Sequence, residues 1–210
     1  MYTAFVIGNI ASGKSCATRY LEQRGALRID LDAMAKDLYV PGSQLVLDIA
    51  ERFGYDVLAP DGGIDTRELA RVAFATPEDS ADLNALVHPV LIEQLSLRLL
   101  PPLCCTVTAP DPELVVVEVS VASAFTDAFG LADEIIAITA PLDVRRERAI
   151  ERGMDGSAFD DRASCQPSEE ELCALAQVVI DNTAGDDSLF SSLDQWLADR
   201  HLLSAQEVTQ

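Results

Sequence analysis

The run Gly8-Asn9-Ile10-Ala11-Ser12-Gly13-Lys14-Ser15 follows the apolar stretch Tyr2–Ile7 and opens a helix-forming segment. A G-x-x-x-x-G-K-S run in that context is the signature of a phosphate-binding P-loop, so the chain must set a strand, a wrapped turn and a helix in succession. Gly8 and Gly13 are expected to let the backbone turn through conformations closed to other residues. The loop, with Cys16 just behind it, then aims amide N–H groups at one concavity, and the positive end of the helix dipole faces the same anion. Lys14, one of only two lysines in the chain, supplies a point charge for the β- and γ-phosphates, and Ser15 a hydroxyl for Mg²⁺. A nucleotide and Mg²⁺ are therefore the expected cofactors.

The charge of −20 across 210 residues argues against nucleic acid or an anionic membrane as partner, because both would be repelled over most of the surface. A nucleotide is also an anion, so the few cations should gather at its site. Arg145, Arg146, Arg148 and Arg152 fall in one short segment, which reads either as that cluster or as a solvated helix face. Five cysteines without a C-x-x-C pair are cytosolic thiol usage, and with two histidines there is little material for a His-rich metal site. A first strand that runs straight into the loop leaves no room for a signal peptide, and no apolar run reaches the length of a membrane span. A cytoplasmic protein, monomeric or weakly homo-oligomeric, is expected.

Val/Ile-rich runs at Thr3–Ile7, Leu27–Asp30, Leu114–Val119, Glu134–Thr139 and Val178–Asp181 lack polar alternation, which implies strands covered on both faces. The expected fold is α/β: a five-stranded parallel, doubly wound core forming a single domain over residues 1–210. Residues 41–102 are mostly helical and too long for one crossover helix, so they read as a helical substrate-binding insertion. Pro101-Pro102 and Ala109-Pro110-Asp111-Pro112 mark the return to the sheet. Residues 145–167, with Gly153, Gly156 and their arginines, fit a short lid over phosphates.

Phosphoryl transfer also needs a group that orients the acceptor hydroxyl or accepts its proton. Ile29-Asp30-Leu31-Asp32 ends the second strand, on the side where open α/β sheets bind ligands, and strand alternation would turn one of the two acids to the site. The same acids could instead cap the following helix. Glu118, near the end of the third strand, reads equally as a magnesium-associated carboxylate on the substrate side or as the partner of an arginine.

In order along nearly the whole chain, these motifs resemble the dephospho-CoA kinase family. After the P-loop come Ile29-Asp30-Leu31-Asp32-Ala33-Met34-Ala35-Lys36, matching I-D-x-D-x-x-A-[RK], and Tyr39-Val40-Pro41-Gly42. Leu83-Asn84-Ala85-Leu86-Val87-His88-Pro89 matches L-N-x-[LI]-x-H-P, Arg162 and Gln166 match R-x-x-x-Q, and Ala176–Asn182 matches A-D-x-V-I-D-N with Gln177 for the aspartate. The resemblance implies ATP-dependent phosphorylation of the ribose 3′-hydroxyl of dephospho-CoA, the last step of coenzyme A synthesis. It implies Asp32 beside that hydroxyl, Lys36 facing substrate phosphate and His88 in the substrate-binding helices. It also implies Arg148 as a catalytic cation, Arg152 toward the nucleotide and Asn182 beside the adenine. One departure stands out: where the family has P-L-L-[FV]-E after the third strand, this chain has Ser120-Val121-Ala122-Ser123-Ala124. Two further readings stay open, a P-loop kinase for another small alcohol or nucleotide and a non-catalytic nucleotide- or CoA-binding module.

Overall fold

A computed structural model describes residues 1–99, 112–120, 122 and 125–203. Five strands, β1 (Tyr2–Ile7), β2 (Leu27–Asp30), β3 (Leu114–Glu118), β4 (Glu134–Thr139) and β5 (Val178–Asp181), form one parallel sheet in the order β2-β3-β1-β4-β5. The chain runs from β1 to one edge, returns beside β1 as β3, and crosses to the other side as β4. β1 is therefore central, and the C-terminal ends of the strands beside it form the crevice in which such sheets bind ligands.

Burial follows from that order. β3 is buried at every residue, and β1 and β4 at all but the first, whereas the edge strands β2 and β5 are partly exposed. Ala4, Val6, Leu114, Val116, Ile136, Ile138 and Ile180 face one core. That core is closed by Ala17 and Leu21 of α1 (Lys14–Gln23) and by Leu189, Leu193, Trp196 and Leu197 of α9 (Asp186–Asp199). Phe5, Ile7, Val115 and Val117, at the alternate positions, are buried too, so the apolar runs carry no polar face. Below the sheet Glu134 accepts from Trp196 Nε1 at 2.7 Å and pairs with Arg200, which fixes the end of α9 to the start of β4.

Contacts divide the chain into two compact units, Met1–Asp30 with Pro101–Gln210, and Leu31–Leu100. The second consists of α2 (Leu31–Asp37), α3 (Gln44–Phe53), a 3₁₀ turn at Tyr55–Val57, α4 (Thr66–Ala73) and α5 (Pro77–Leu99). Its core gathers Leu45, Val46, Ile49 and Ala50 of α3, Leu69 and Ala73 of α4, and Leu83 and Val87 of α5. The unit begins at Leu31, ten residues before the boundary that the sequence suggests. The reason is local: β2 ends at Asp30 and α2 starts at once, so strand alternation does not reach Asp32, which lies in a first helical turn. The return segment from Pro101 to Asp111 lies outside the described residues. Between β4 and β5 come α6 (Leu142–Glu151), α7 (Gly156–Ser164) and α8 (Glu169–Ala174).

Candidate active site

The loop from Gly8 to Ser15 occupies the C-terminal end of β1, and its geometry refines what its glycines do. Gly13 has φ +109°, a left-handed value, and a Cβ there would lie 2.2 Å from Asn182 Nδ2. Gly8 serves close approach instead: a Cβ would meet Ser12 Oγ at 2.5 Å and the Ile138 carbonyl at 2.6 Å. The second left-handed residue of the loop is not a glycine but Ala11, at φ 59°. α3, α4, α7 and α8 are capped by the side chains of Ser43, Asp65, Asp155 and Ser168, whereas α1 starts from Gly13 with no side-chain cap. The first intrahelical bond of α1 is Ala17 N–H to Gly13, which leaves the amides of Ser15 and Cys16 to face an anion.

Lys14 is buried and folds back over the loop, Nζ donating to the Gly8 carbonyl at 2.6 Å and to Asn9 at 3.4 Å. Ser15 donates its hydroxyl to Glu118 Oε1. Glu118 Oε2 accepts from Thr18 Oγ1 at 2.8 Å and from Arg28 Nη2 at 2.7 Å, and Arg28 Nη2 reaches Asp30 at 2.9 Å. Burial pushes the Glu118 pKa up, but the hydrogen bonds from Ser15, Arg28 and Thr18, with the Arg28 charge, bring it below its ordinary value. Of the two readings its position allowed, the Arg28 pairing is the one present, and the same carboxylate holds the Ser15 hydroxyl. Neither Arg28 nor Thr18 figures among the residues expected from the sequence. The signals were there, since Arg28 and Asp30 share a face of β2 at period two and Thr18 sits one turn after Ser15 on α1.

The four clustered arginines have separate tasks. Arg145 is buried, donating from Nε to the Ala140 carbonyl at 3.0 Å and from Nη1 to the Ile10 carbonyl at 3.4 Å. Arg146 pairs with Asp160 on the surface at 2.9 Å. Arg148 donates to the Asn182 carbonyl at 2.7 Å, and with Arg152, Ala184, Gly185 and Asp186 it lines a cleft of about 390 Å³. Cys16 is half-buried near Asp186, and burial together with the Asp186 charge raises its pKa. Asn182 is buried and donates from Nδ2 to the Ser12 carbonyl at 2.9 Å, so it braces the loop as well as leading into the cleft. Among the described residues, three buried side-chain polar atoms lack a hydrogen-bond partner: Ser12 Oγ, Arg148 Nη1 and Asn182 Oδ1, all on this loop and its cleft.

Asp32 in the first turn of α2, Lys36 in its last turn and His88 in α5 all belong to the helical unit, where α2 packs on α5. His88 precedes Pro89, which lies inside the helix and cannot donate to the carbonyl one turn back. At the departure after β3, Ser120 follows the strand and Ala122 is buried; Val121, Ser123 and Ala124 lie outside the described residues. Among the described residues no cluster of three or more His, Cys, Asp or Glu could hold a metal, and no helix is long and apolar enough to cross a membrane.

Residues 4–187 match the family model for dephospho-CoA kinase. The chain is 31% identical over 195 residues to the dephospho-CoA kinase of Frankia casuarinae, covering 93% of this chain and 82% of that one. It is 33% identical to the enzyme of Anaeromyxobacter dehalogenans, covering 91% and 89%. Among solved structures, TT1252 from Thermus thermophilus superposes with a TM-score of 0.68 at 28% identity, covering 94% of this chain and 97% of that one. With the P-loop, the β2-β3-β1-β4-β5 sheet and this match over most of its length, the chain belongs to the dephospho-CoA kinase family.

Proposed function

We propose that the protein transfers the γ-phosphoryl group of ATP to the ribose 3′-hydroxyl of dephospho-CoA, giving CoA and ADP. The observation that carries this reading is the family match over residues 4–187, which takes in both the phosphate loop and the helices that bear Asp32, Lys36 and His88.

The residues around the loop fit a nucleotide. An uncapped α1 and the partnerless Ser12 Oγ, Arg148 Nη1 and Asn182 Oδ1 leave donors and acceptors for a polar ligand of that size. Lys14 and the first amides of α1 hold the β- and γ-phosphates and stabilise the charge that spreads over the transferred group. Arg148, expected as a catalytic cation, is bonded to the Asn182 carbonyl, and we assign it with Arg152 and the Ala184–Asp187 cleft to the nucleoside end. Asp32 orients the acceptor hydroxyl and takes its proton, while Lys36 and His88 bind the acceptor.

Mg²⁺ would fit a site built from Ser15 and the phosphates themselves, because Ser15 offers a hydroxyl there and no carboxylate cluster stands among the described residues. When bound, the ion neutralises charge on the β- and γ-phosphates. Glu118 holds the Ser15 hydroxyl as a donor, which leaves the oxygen lone pairs for the cation. Free thiols at Cys16, Cys165 and Cys173 support a cytoplasmic setting.

The test is ADP formation from MgATP by purified protein with dephospho-CoA, set beside AMP, shikimate and gluconate. Turnover with dephospho-CoA far above the others supports the reading; preference for another acceptor contradicts it.

A further inference from the structure

Ile10 is held at both ends by the segment between β4 and β5. Its N–H donates to Gln166 Oε1 at 2.8 Å, and its carbonyl accepts from Arg145 Nη1 at 3.4 Å. Next to it Asn9, itself buried, donates from Nδ2 to the Pro167 carbonyl at 2.9 Å. Arg145 belongs to the first half of α6, whereas Gln166 and Pro167 join α7 to α8. Both ends of the α6–α7 excursion therefore close on Ile10, and the C-terminal end closes on Asn9 as well. The excursion is also tied across its middle, where Arg146 pairs with Asp160.

The clamped residues immediately precede the most strained point of the loop. Ala11 stands at φ 59°, a conformation that a residue with a Cβ keeps only when its surroundings impose it. Ser12 N–H closes the turn on the Asn9 carbonyl at 3.1 Å. The loop amides can aim at phosphate only while this turn holds, and within it the Ile10 amide points to Gln166 rather than into the cradle.

We infer that Gln166 is a positioning residue for the nucleotide: through the Ile10 amide it holds the strained half of the phosphate loop in its binding shape and couples that loop to α6 and α7. The inference rests on the reading that Gly8–Ser15 binds ATP, and not on the identity of the acceptor. Loss of the Oε1 acceptor leaves the Ile10 amide unpaired and lets the turn relax, which weakens phosphate binding without removing any group that touches phosphate.

Calorimetric titration of ATP without acceptor tests it, on wild type, Gln166→Leu and Gln166→Glu. Gln166→Leu should weaken ATP on the order of tenfold, the effect of one unmade hydrogen bond at a partly buried amide. Gln166→Glu keeps an acceptor for the amide and should stay within about threefold of wild type. Wild-type affinity in Gln166→Leu would overturn the inference. So would equal loss in both variants, which would mean that Gln166 meets the nucleotide through Nε2. Amide hydrogen exchange on the wild type gives a readout that needs no variant. The Ile10 amide should be protected without nucleotide and no more protected with it; free exchange in the nucleotide-free protein overturns the clamp. If wild type itself binds no ATP, it is the nucleotide reading that fails.

Discussion

Arg28, the second residue of β2, and Glu118, the last residue of β3, form an ion pair of 2.7 Å, with Glu118 only 5% exposed, and the same carboxylate holds the hydroxyl of Ser15. The pair joins the edge strand β2 to the nucleotide loop through β3. Removing one partner of a buried pair leaves an uncompensated charge, so Arg28→Ala should lower unfolding free energy by about 3 kcal/mol. Arg24 and Asp194 pair on the surface, and Arg24→Ala should cost roughly 1 kcal/mol or less. Urea unfolding of both variants checks the contrast; equal losses would mean that Glu118 draws nothing from Arg28.

The same carboxylate gives a pH dependence with a defined sign. Its folded pKa lies below its unfolded value, so its contribution to stability is complete above the ordinary glutamate pKa of about 4.3 and is lost as pH falls through the lower folded value. Glu134, opposed by burial but held down by Arg200 and Trp196, acts in the same direction. Acidification also reduces the net negative charge and its self-repulsion, which works the other way. The wild type should therefore lose more stability below about pH 4 than Glu118→Gln does, a difference read from urea midpoints at stepped pH. Parallel pH curves for the two proteins would contradict it.

Gly8→Ala should abolish ATP binding, because a Cβ would lie 2.6 Å from the Ile138 carbonyl, a backbone atom that cannot swing away. Gly130→Ala is the control, since nothing lies within 4 Å of a Cβ there, and it should change stability by less than about 0.5 kcal/mol. Calorimetry and thermal melts separate the two.

Much of this was legible in the sequence for physical reasons. The strands at Leu27–Asp30, Glu134–Thr139 and Val178–Asp181 end where the apolar runs end, because a parallel sheet covered on both faces leaves no other place for such runs. Less legible was whatever depends on which chain segments meet. The division of labour among Arg145, Arg146, Arg148 and Arg152 follows from partners far along the chain, Ile10, Asp160 and Asn182, and identical side chains in one stretch gave no sign of it. Arg28 was legible in principle: a charged residue at period two with Asp30 marks a polar face on β2. The role of Gly8 was misjudged for a similar reason, since a close approach by Ile138 is a tertiary fact.

Asp32→Asn should lower kcat by about two to four orders of magnitude, the range for loss of a general base, while ATP affinity stays at the wild-type level. Lys14→Met should lose both, since Lys14 belongs to the phosphate loop. Comparable turnover by Asp32→Asn and wild type would remove Asp32 from the chemistry.

Phosphorus NMR of the product from MgATP and dephospho-CoA reports which oxygen receives the phosphoryl group. Transfer to the ribose 3′-hydroxyl requires a new 3′-phosphomonoester signal that grows as the γ-phosphorus signal of ATP disappears. Release of orthophosphate alone, or a phosphomonoester on any other oxygen, would contradict it.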